Sequence, residues 1–257
     1  MPRSSFSLAF LLVLGSSLTV ACASPTDEAP TNVGDDEIVN VPQTEVERQA
    51  IGNCWLYAHA SWTESMHKAA TGEDFDVSQS YWTYWHWFDQ IAAGYGSQIS
   101  TGGNYTTASN IVKKYGLIAE AGFVSADTQN EMSSRQASAL SAINESLKNG
   151  VLKDSAARRD RKIVRRELDR AWGLTPEVTA KLNRVFGEDV SRTFSSTSSP
   201  ADPSGTDILR GQDFKVAYTT APGQAPVQRT LLQAQSDWRQ VYYRAGDRSF
   251  QIRVQKA

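Results

Sequence analysis

Cysteine and histidine are both scarce in this chain, which has two cysteines and three histidines among its 257 residues. Cys22 lies at the end of an apolar N-terminal segment, so Cys54 is the one thiol in the sequence beyond that segment. A framework of disulfide bonds is therefore excluded, and Cys54 has no obvious disulfide partner. A solitary thiol of this kind is either a small, buried apolar side chain or a reactive group.

The chain also lacks a large net charge and an internal repeat. Its formal charge is −2 at pH 7, which gives no electrostatic argument for a nucleic-acid partner. Aromatic residues, by contrast, are numerous, with seven Trp and nine Tyr, and several of them are concentrated in residues 82–88. The length beyond the N-terminal segment is enough for one substantial domain with its own hydrophobic core.

No apolar run in the sequence is long enough to predict a membrane span. At the N-terminus, Arg3 precedes a short, interrupted apolar stretch, which is typical of a signal peptide over residues 1–21. Cleavage at the small residues around Cys22 fits this segment, and so does a bacterial lipobox in which Cys22 becomes lipidated. We favour the lipobox, which predicts an exported lipoprotein anchored in the membrane of the bacterial cell envelope. The alternative is a secreted protein.

Residues 22–40 are rich in Pro, Thr, Asp, Glu and Gly and contain few apolar side chains. Such a composition cannot bury enough apolar surface to offset the entropy of ordering the chain. We therefore predict a disordered tether over residues 22–40 and a folded domain over residues 41–257.

The residues that follow Cys54 have the apolar spacing of a helix. Apolar side chains recur at intervals of three and four residues, at Trp55, Ala58, Trp62 and Met66. Gly52 and Asn53 are typical of a turn, so the pattern places Cys54 at a helix N-terminus. The unpaired N–H groups and the helix dipole at that position favour a thiolate over a thiol.

Further elements follow from the same kind of pattern. We expect helices at about 78–93 and 106–115, and a polar helical block with a loop over residues 125–206. Residues 213–218 and 240–243 alternate in the manner of strands, with a hairpin-like turn at 245–247.

The basic run at residues 158–166 has two interpretations. It could bind phosphate or anionic lipid, or it could be the charged solvent face of an amphipathic helix. Apolar residues recur at helical spacing through the run, and acidic residues interleave with the basic ones. We therefore favour the amphipathic helix, followed by a second helix with Thr175 as N-cap, Pro176 as first residue and Gly187 at its end.

Four short segments, in order, resemble the N-terminal half of a papain-superfamily cysteine peptidase, and in particular its bleomycin hydrolase and bacterial aminopeptidase C branch. The first contains the Cys-Trp pair of the nucleophile helix, and the second an aromatic segment that begins Val-Ser-Gln-Ser-Tyr. The third is a glycine pair, and the fourth a helix that ends in Lys-Tyr-Gly. The segments are Gly52–Ala58, Val77–Trp87, Thr101–Asn104 and Ile111–Glu120.

The resemblance implies a role for individual residues. Cys54 would be the nucleophile, and the side-chain amide of Gln49 would assist the backbone N–H of Cys54 in stabilising the oxyanion. Gly102, Gly103 and Asn104 would line the substrate cleft, because glycine lets an extended peptide approach the backbone closely. The implied reaction is hydrolysis of peptide bonds in a peptide or protein substrate through a Cys54 thioester, with no cofactor and no metal ion.

The implied fold is α+β and papain-like. Residues 41–124 would form the helical N-terminal lobe, residues 125–206 a polar helical insertion with its loop, and residues 207–257 the start of a strand-rich second lobe that is incomplete in this sequence.

This sequence departs from the family pattern in two ways that affect catalysis. Gln49 lies five residues before Cys54, whereas six is the usual spacing. The family's catalytic His and Asn belong to the strand-rich half, yet His59, His67 and His86 all precede that half. We therefore expect an exported cysteine-type peptidase that is inactive in this form, from a chain that continues in the natural protein.

Two alternatives remain open at this point. One is a non-catalytic peptide-binding lipoprotein that retains the glycine pair and uses the aromatic residues around Trp82 as a wall of the cleft. The other is a plain lipoprotein in which Cys54 is a structural residue.

We predict that Cys22 becomes the lipidated first residue of the mature protein, because an apolar run ends at Ala21-Cys22 and a polar segment follows. Intact-mass analysis of protein extracted from membranes should show a diacylglyceryl or triacylglyceryl adduct on Cys22. An unmodified N-terminus at Ala23 or Ser24 would contradict the prediction.

Overall fold

The computed structural model of the protein describes residues 44–94, 96–219 and 224–244, with side chains up to residue 237. The predicted signal peptide, the lipidation site Cys22, the tether over residues 22–40 and the turn at 245–247 lie outside the described residues. Within them, no helix combines the length and the apolar character needed to cross a membrane.

The described chain is mostly helical with one small sheet, so the expected mixture of α and β structure is present. Two strands pair antiparallel, with Lys215 opposite Thr230 and Tyr218 opposite Val227. Short 3₁₀ turns occupy Glu120–Gly122, Asp127–Gln129 and Val151–Lys153. The helices and strands are α1 (Cys54–Thr71), α2 (Gln79–Ala92), α3 (Tyr105–Tyr115), α4 (Ser134–Lys148), α5 (Ser155–Arg159), α6 (Arg161–Trp172), α7 (Pro176–Phe186), β1 (Lys215–Tyr218), β2 (Val227–Thr230) and α8 (Leu231–Arg244).

Most of the predicted helices are confirmed, and capping residues mark their ends, including the predicted N-cap Thr175. Ser78 accepts a hydrogen bond from the Tyr81 N–H at the start of α2, and Thr175 accepts one from the Val178 N–H at the start of α7. Pro176 is the first residue of α7, and Gly187 follows its last residue. These side chains supply acceptors for N–H groups that have no partner inside the helix.

The predicted strand at residues 240–243 is wrong, because these residues belong to α8. A capping box at the start of α8 explains the difference. The Thr230 hydroxyl accepts from the Gln233 N–H at 3.3 Å, and the Gln233 amide oxygen accepts from the Thr230 N–H at 2.9 Å. This reciprocal pair begins a helix, and the helix continues through aromatic and β-branched residues whose local preference is for strands.

The helical block packs directly on the rest of the domain. α6 contacts both α2 and α4, and Val164, Leu168 and Trp172 are buried on its inner face. This confirms the amphipathic-helix interpretation for the part of the basic run that lies in α6, whereas Arg158 and Arg159 belong to the separate helix α5 and Asp160 is the N-cap of α6. Within α6, one basic residue does not lie on the solvent face. Arg165 is almost fully buried, with its guanidinium 5.5 Å from the Trp85 ring and an ion pair of 3.6 Å to Asp169.

The aromatic residues of α2 form the centre of the core. Trp82, Trp85 and Trp87 are fully buried. The Trp85 ring is stacked on Tyr115, with centroids 4.1 Å apart, and meets the Phe186 ring edge-on at 4.9 Å. This burial does not fit the alternative in which the aromatic residues around Trp82 form a wall of a peptide-binding cleft, because these rings contact the core and not solvent.

We predict that Trp85→Ala lowers the free energy of unfolding by about 3–5 kcal/mol, because it removes a fully buried aromatic side chain and leaves a cavity. Chemical denaturation followed by circular dichroism measures this change. Trp62→Ala is a matched control, because Trp62 is only partly buried and should cost much less. Equal losses in the two variants would contradict a core centred on Trp85.

Candidate functional site

Cys54 is exposed and is the first residue of α1. A tight turn precedes it, in which the Asn53 N–H donates to the Ile51 carbonyl at 2.8 Å and the Leu56 N–H donates to the Asn53 carbonyl at 2.9 Å. The first turn of α1 contains no acidic residue. An accessible thiol therefore lies at the positive end of the helix dipole.

The turn before Cys54 is held in place by Asn53, which is almost fully buried. Its side-chain amide donates to the Thr83 hydroxyl at 3.0 Å and to the Gln136 amide oxygen at 2.9 Å. Gln136 in turn donates to the Tyr57 hydroxyl at 3.2 Å and to the Ser80 hydroxyl at 3.1 Å. The position of the turn before the thiol thus depends on hydrogen bonds that Asn53 donates to α2 and α4.

The glycine segment predicted to line a cleft lies against the residue that follows Cys54. The Trp55 indole N–H donates to the Thr101 carbonyl at 2.9 Å. A Cβ placed on Gly103 would lie 2.5 Å from the Trp55 ring, and one on Gly52 would lie 2.8 Å from the Thr101 hydroxyl oxygen. The absence of side chains at Gly52 and Gly103 therefore allows the two loops to pack together.

The other predicted substrate-binding residues have different surroundings. Gly102 is exposed, and a Cβ there would make only an ordinary contact with Ser100, at 3.8 Å. The Asn104 side chain is engaged in capping α3, since its oxygen accepts from the N–H of Thr107 at 3.0 Å and from the Thr107 hydroxyl at 3.2 Å. Asn104 thus has a structural role, whereas the backbone at Gly102 is exposed to solvent.

Gln49 is exposed on the segment that leads to the turn. In the described part of the chain, no hydrogen bond joins Gln49 to Cys54. The role of Gln49 in stabilising an oxyanion beside the Cys54 N–H stays a prediction, because both groups would donate to the substrate oxygen and not to each other.

Two of the three histidines are engaged elsewhere. His59 is buried and is 3.0 Å from the Gln235 side-chain nitrogen, and burial lowers the pKa of its imidazole to about 3. His67 Nδ1 is 2.8 Å from the Lys215 carbonyl, close to β1. Neither imidazole forms a hydrogen bond with Cys54 in the described structure.

His86 packs against Trp55, the residue that follows Cys54. Its ring meets the Trp55 indole edge-on, with centroids 4.9 Å apart, and the residue is 9% exposed. Burial lowers the pKa of His86, while the backbone carbonyls of Gly102 and Ser100 oppose this effect. Among the described residues, Nε2 of this ring has no hydrogen-bond partner.

Sequence reasoning missed a group of three carboxyl groups that includes Glu47, two residues before Gln49. Side-chain oxygens of Glu47, Asp76 and Glu120 all lie within 4.8 Å of one another, close enough to surround one cation. Burial and the neighbouring carboxyl groups raise the pKa of Glu47 to about 7 and that of Glu120 to about 8. No spacing motif links these residues, so only the folded chain brings them together.

Compared with protein-family models, curated proteins and solved structures, the chain matches none of them.

We predict that Gly103→Ala destabilises the protein by about 1–3 kcal/mol, because the added methyl group overlaps the Trp55 ring and forces the loops apart. Denaturant unfolding gives the change in free energy, and Trp fluorescence at native conditions reports the displaced indole.

Gly102→Ala is the matched control for this substitution. Its added methyl group meets only Ser100 at an ordinary distance, so its effect should stay within about 0.5 kcal/mol. Equal stability of the two variants would show that the packing of Gly103 on Trp55 is unimportant.

Proposed function

We propose that the domain is the nucleophile-bearing part of an exported, papain-like cysteine peptidase, in which Cys54 attacks the carbonyl carbon of a peptide bond. The proposal extends to location: Cys22 would be the lipid anchor that holds the protein at the bacterial cell envelope.

The observation that carries the proposal is the arrangement of two loops around an accessible thiol. Cys54 is exposed at the start of α1, and the segment with Gly102 and Gly103 is held next to it through Trp55. Because Trp55 and Thr101 are 46 residues apart in sequence, their contact is a property of the fold. An exposed thiol beside open glycine backbone suits an extended peptide substrate better than it suits a structural cysteine.

The proposed chemistry needs a group that returns a proton to the leaving amine. A helix N-terminus stabilises a thiolate but cannot protonate a leaving group. Since no described histidine bonds to Cys54, we propose that this chain alone does not complete the catalytic set. General acid–base assistance is typically worth about 10²–10⁴ in rate, so peptide hydrolysis by this chain should be very slow.

The lack of a histidine partner also favours a second candidate function. A domain with the same exposed thiol and glycine segment could bind extended peptides without cleaving them. The two candidates differ in whether a Cys54-dependent bond forms with a peptide electrophile.

The test measures labelling of Cys54 in a Cys22→Ala background, so that Cys54 is the only thiol. One probe is a peptide that carries a vinyl sulfone, and the other is iodoacetamide, which has no peptide portion. The measured quantity is the rate of labelling by the peptide probe divided by the rate of labelling by iodoacetamide. We expect this ratio to be at least about tenfold higher for the folded protein than for the same protein unfolded in urea, because the cleft orients the electrophile. Excess unreactive peptide should slow labelling by the peptide probe.

Cys54→Ser in the same background is the blank for labelling. If the ratio of the two labelling rates were the same in the folded and unfolded states, the result would contradict the proposal and support a structural cysteine. Slow labelling together with saturable binding of unreactive peptide would support the peptide-binding alternative. Rapid Cys54-dependent amide hydrolysis by this chain would show that the described histidines include a base after all.

A further inference from the structure

Asn53 occupies the N-cap position of α1 but does not cap the helix. An asparagine at this position normally accepts a hydrogen bond from an N–H group of the first turn through its side-chain oxygen. The Asn53 side chain accepts no such bond, and its buried Oδ1 has no hydrogen-bond partner among the described residues. Its NH₂ group instead donates away from α1, to Thr83 of α2 and to Gln136 of α4.

This use of Asn53 is unfavourable for the stability of α1. A buried acceptor without a partner destabilises the folded state, and the first N–H groups of the helix lose the acceptor that an N-cap supplies. A residue that served only to stabilise α1 would turn its oxygen toward the helix. The geometry of Asn53 therefore favours holding the turn before Cys54 over capping the helix that follows.

Gln136 is the partner of Asn53 on α4, and it is fully buried. Its oxygen accepts from Asn53 at 2.9 Å, while its NH₂ group donates to the Ser80 hydroxyl at 3.1 Å and to the Tyr57 hydroxyl at 3.2 Å. Tyr57 lies on α1, three residues after Cys54. Gln136 is therefore connected to the chain both before and after the thiol.

The direction of these hydrogen bonds is fixed at both ends of the network. The Thr83 hydroxyl donates its hydrogen to a backbone carbonyl of its own helix at 2.8 Å, so it can only accept from Asn53. The Ser80 hydroxyl donates its hydrogen to the Asp127 carboxylate at 2.6 Å, so it can only accept from Gln136. Neither amide group can turn over without losing hydrogen bonds, and the network therefore has one arrangement.

We propose that Gln136 is a positioning residue of the candidate site, which acts through Asn53 to fix the orientation of the turn from which Cys54 projects. This inference rests on the proposed function of Cys54. Gln136 does not touch the substrate, but the residue that it holds is joined directly to Cys54 by a peptide bond. Because attack on a carbonyl carbon requires a near-attack geometry, a small displacement of the sulfur lowers the rate strongly. The helical block over residues 125–206 thus contributes to the reaction through α4.

The test measures Cys54 labelling by the peptide vinyl sulfone in the Cys22→Ala background, over a range of probe concentrations. Gln136→Met keeps the length of the side chain but removes its amide. We expect the maximal labelling rate to fall at least about tenfold, because the thiol is misplaced. The probe concentration that gives half of this rate should change less than about threefold, because the glycine segment still binds the peptide. Circular dichroism shows whether each variant is folded under the assay conditions.

Asn53→Ala shows whether Gln136 acts through Asn53. If it does, Asn53→Ala and the double variant with Gln136→Met should have the same maximal rate within about twofold, because the amide that Gln136 holds is already absent. Losses of rate that add in the double variant would overturn the proposal, since they would show two independent effects.

Ile143→Val is the matched control, since Ile143 is fully buried on the same helix but has no polar group with which to join the network. It should lower the free energy of unfolding without changing the maximal labelling rate. An unchanged maximal rate in folded Gln136→Met would overturn the proposal. If Gln136→Met does not fold, Gln136→Asn replaces it, because its amide ends one methylene group short of Asn53 and should lower the maximal rate in the same way.

Failure of the proposed function gives a different result from failure of this inference. If the unmodified protein shows no saturable labelling by the peptide probe, the proposed function fails, and hydrogen exchange then tests the positioning by itself. The Leu56 N–H donates to the Asn53 carbonyl at 2.9 Å. Protection of this amide should be at least about tenfold lower in Gln136→Met than in Ile143→Val. Equal protection in these two variants would overturn the positioning role.

Discussion

The burial of α2 is the constraint on which the rest of the structure depends. This helix lies within the domain core, and its large aromatic side chains are fully buried. Burial of that area supplies a large share of the hydrophobic stabilisation, but it also places the polar groups of α2 away from water. Some of them lack a partner among the described residues, including the indole nitrogens of Trp85 and Trp87. The others bond to neighbouring segments and so determine where those segments lie.

The candidate site is one result of this constraint. Thr83 of α2 accepts the hydrogen bond from Asn53, which holds the turn in front of Cys54, while His86 of α2 supports the Trp55 ring from behind. The Gln90 side chain, near the end of α2, exchanges two hydrogen bonds with the Ser100 backbone, at 2.9 and 3.0 Å. One buried helix therefore positions both the turn with the thiol and the loop that leads to the glycine pair. Cys54 is therefore exposed, while the residues that position it are anchored to a buried helix.

The N-terminal end of α2, which borders carboxyl groups of neighbouring segments, has a different character. Ser80 donates to the Asp127 carboxylate at 2.6 Å, and Gln79 contacts Glu47. These neutral groups satisfy some of the carboxyl oxygens without cancelling their charge, so the local electrostatic repulsion remains. The same helix thus stabilises the turn before Cys54 through neutral hydrogen bonds, and it borders a group of carboxyl groups whose charge depends on pH.

Local sequence determined the features that depend on neighbouring residues. The helix beginning at Cys54, the caps at Ser78 and Thr175 and the amphipathic character of α6 follow from spacing and from short-range hydrogen bonds. The start of α8 was also encoded locally, in the reciprocal pair of Thr230 and Gln233, although the β-branched and aromatic residues that follow predicted a strand. Tertiary structure decided the contacts between distant residues. Asn53 and Gln136 are 83 positions apart, and Glu47, Asp76 and Glu120 belong to three segments, so no periodicity relates them. Their association depends on how the helices pack around α2, because burial selects the partners that each polar side chain can reach.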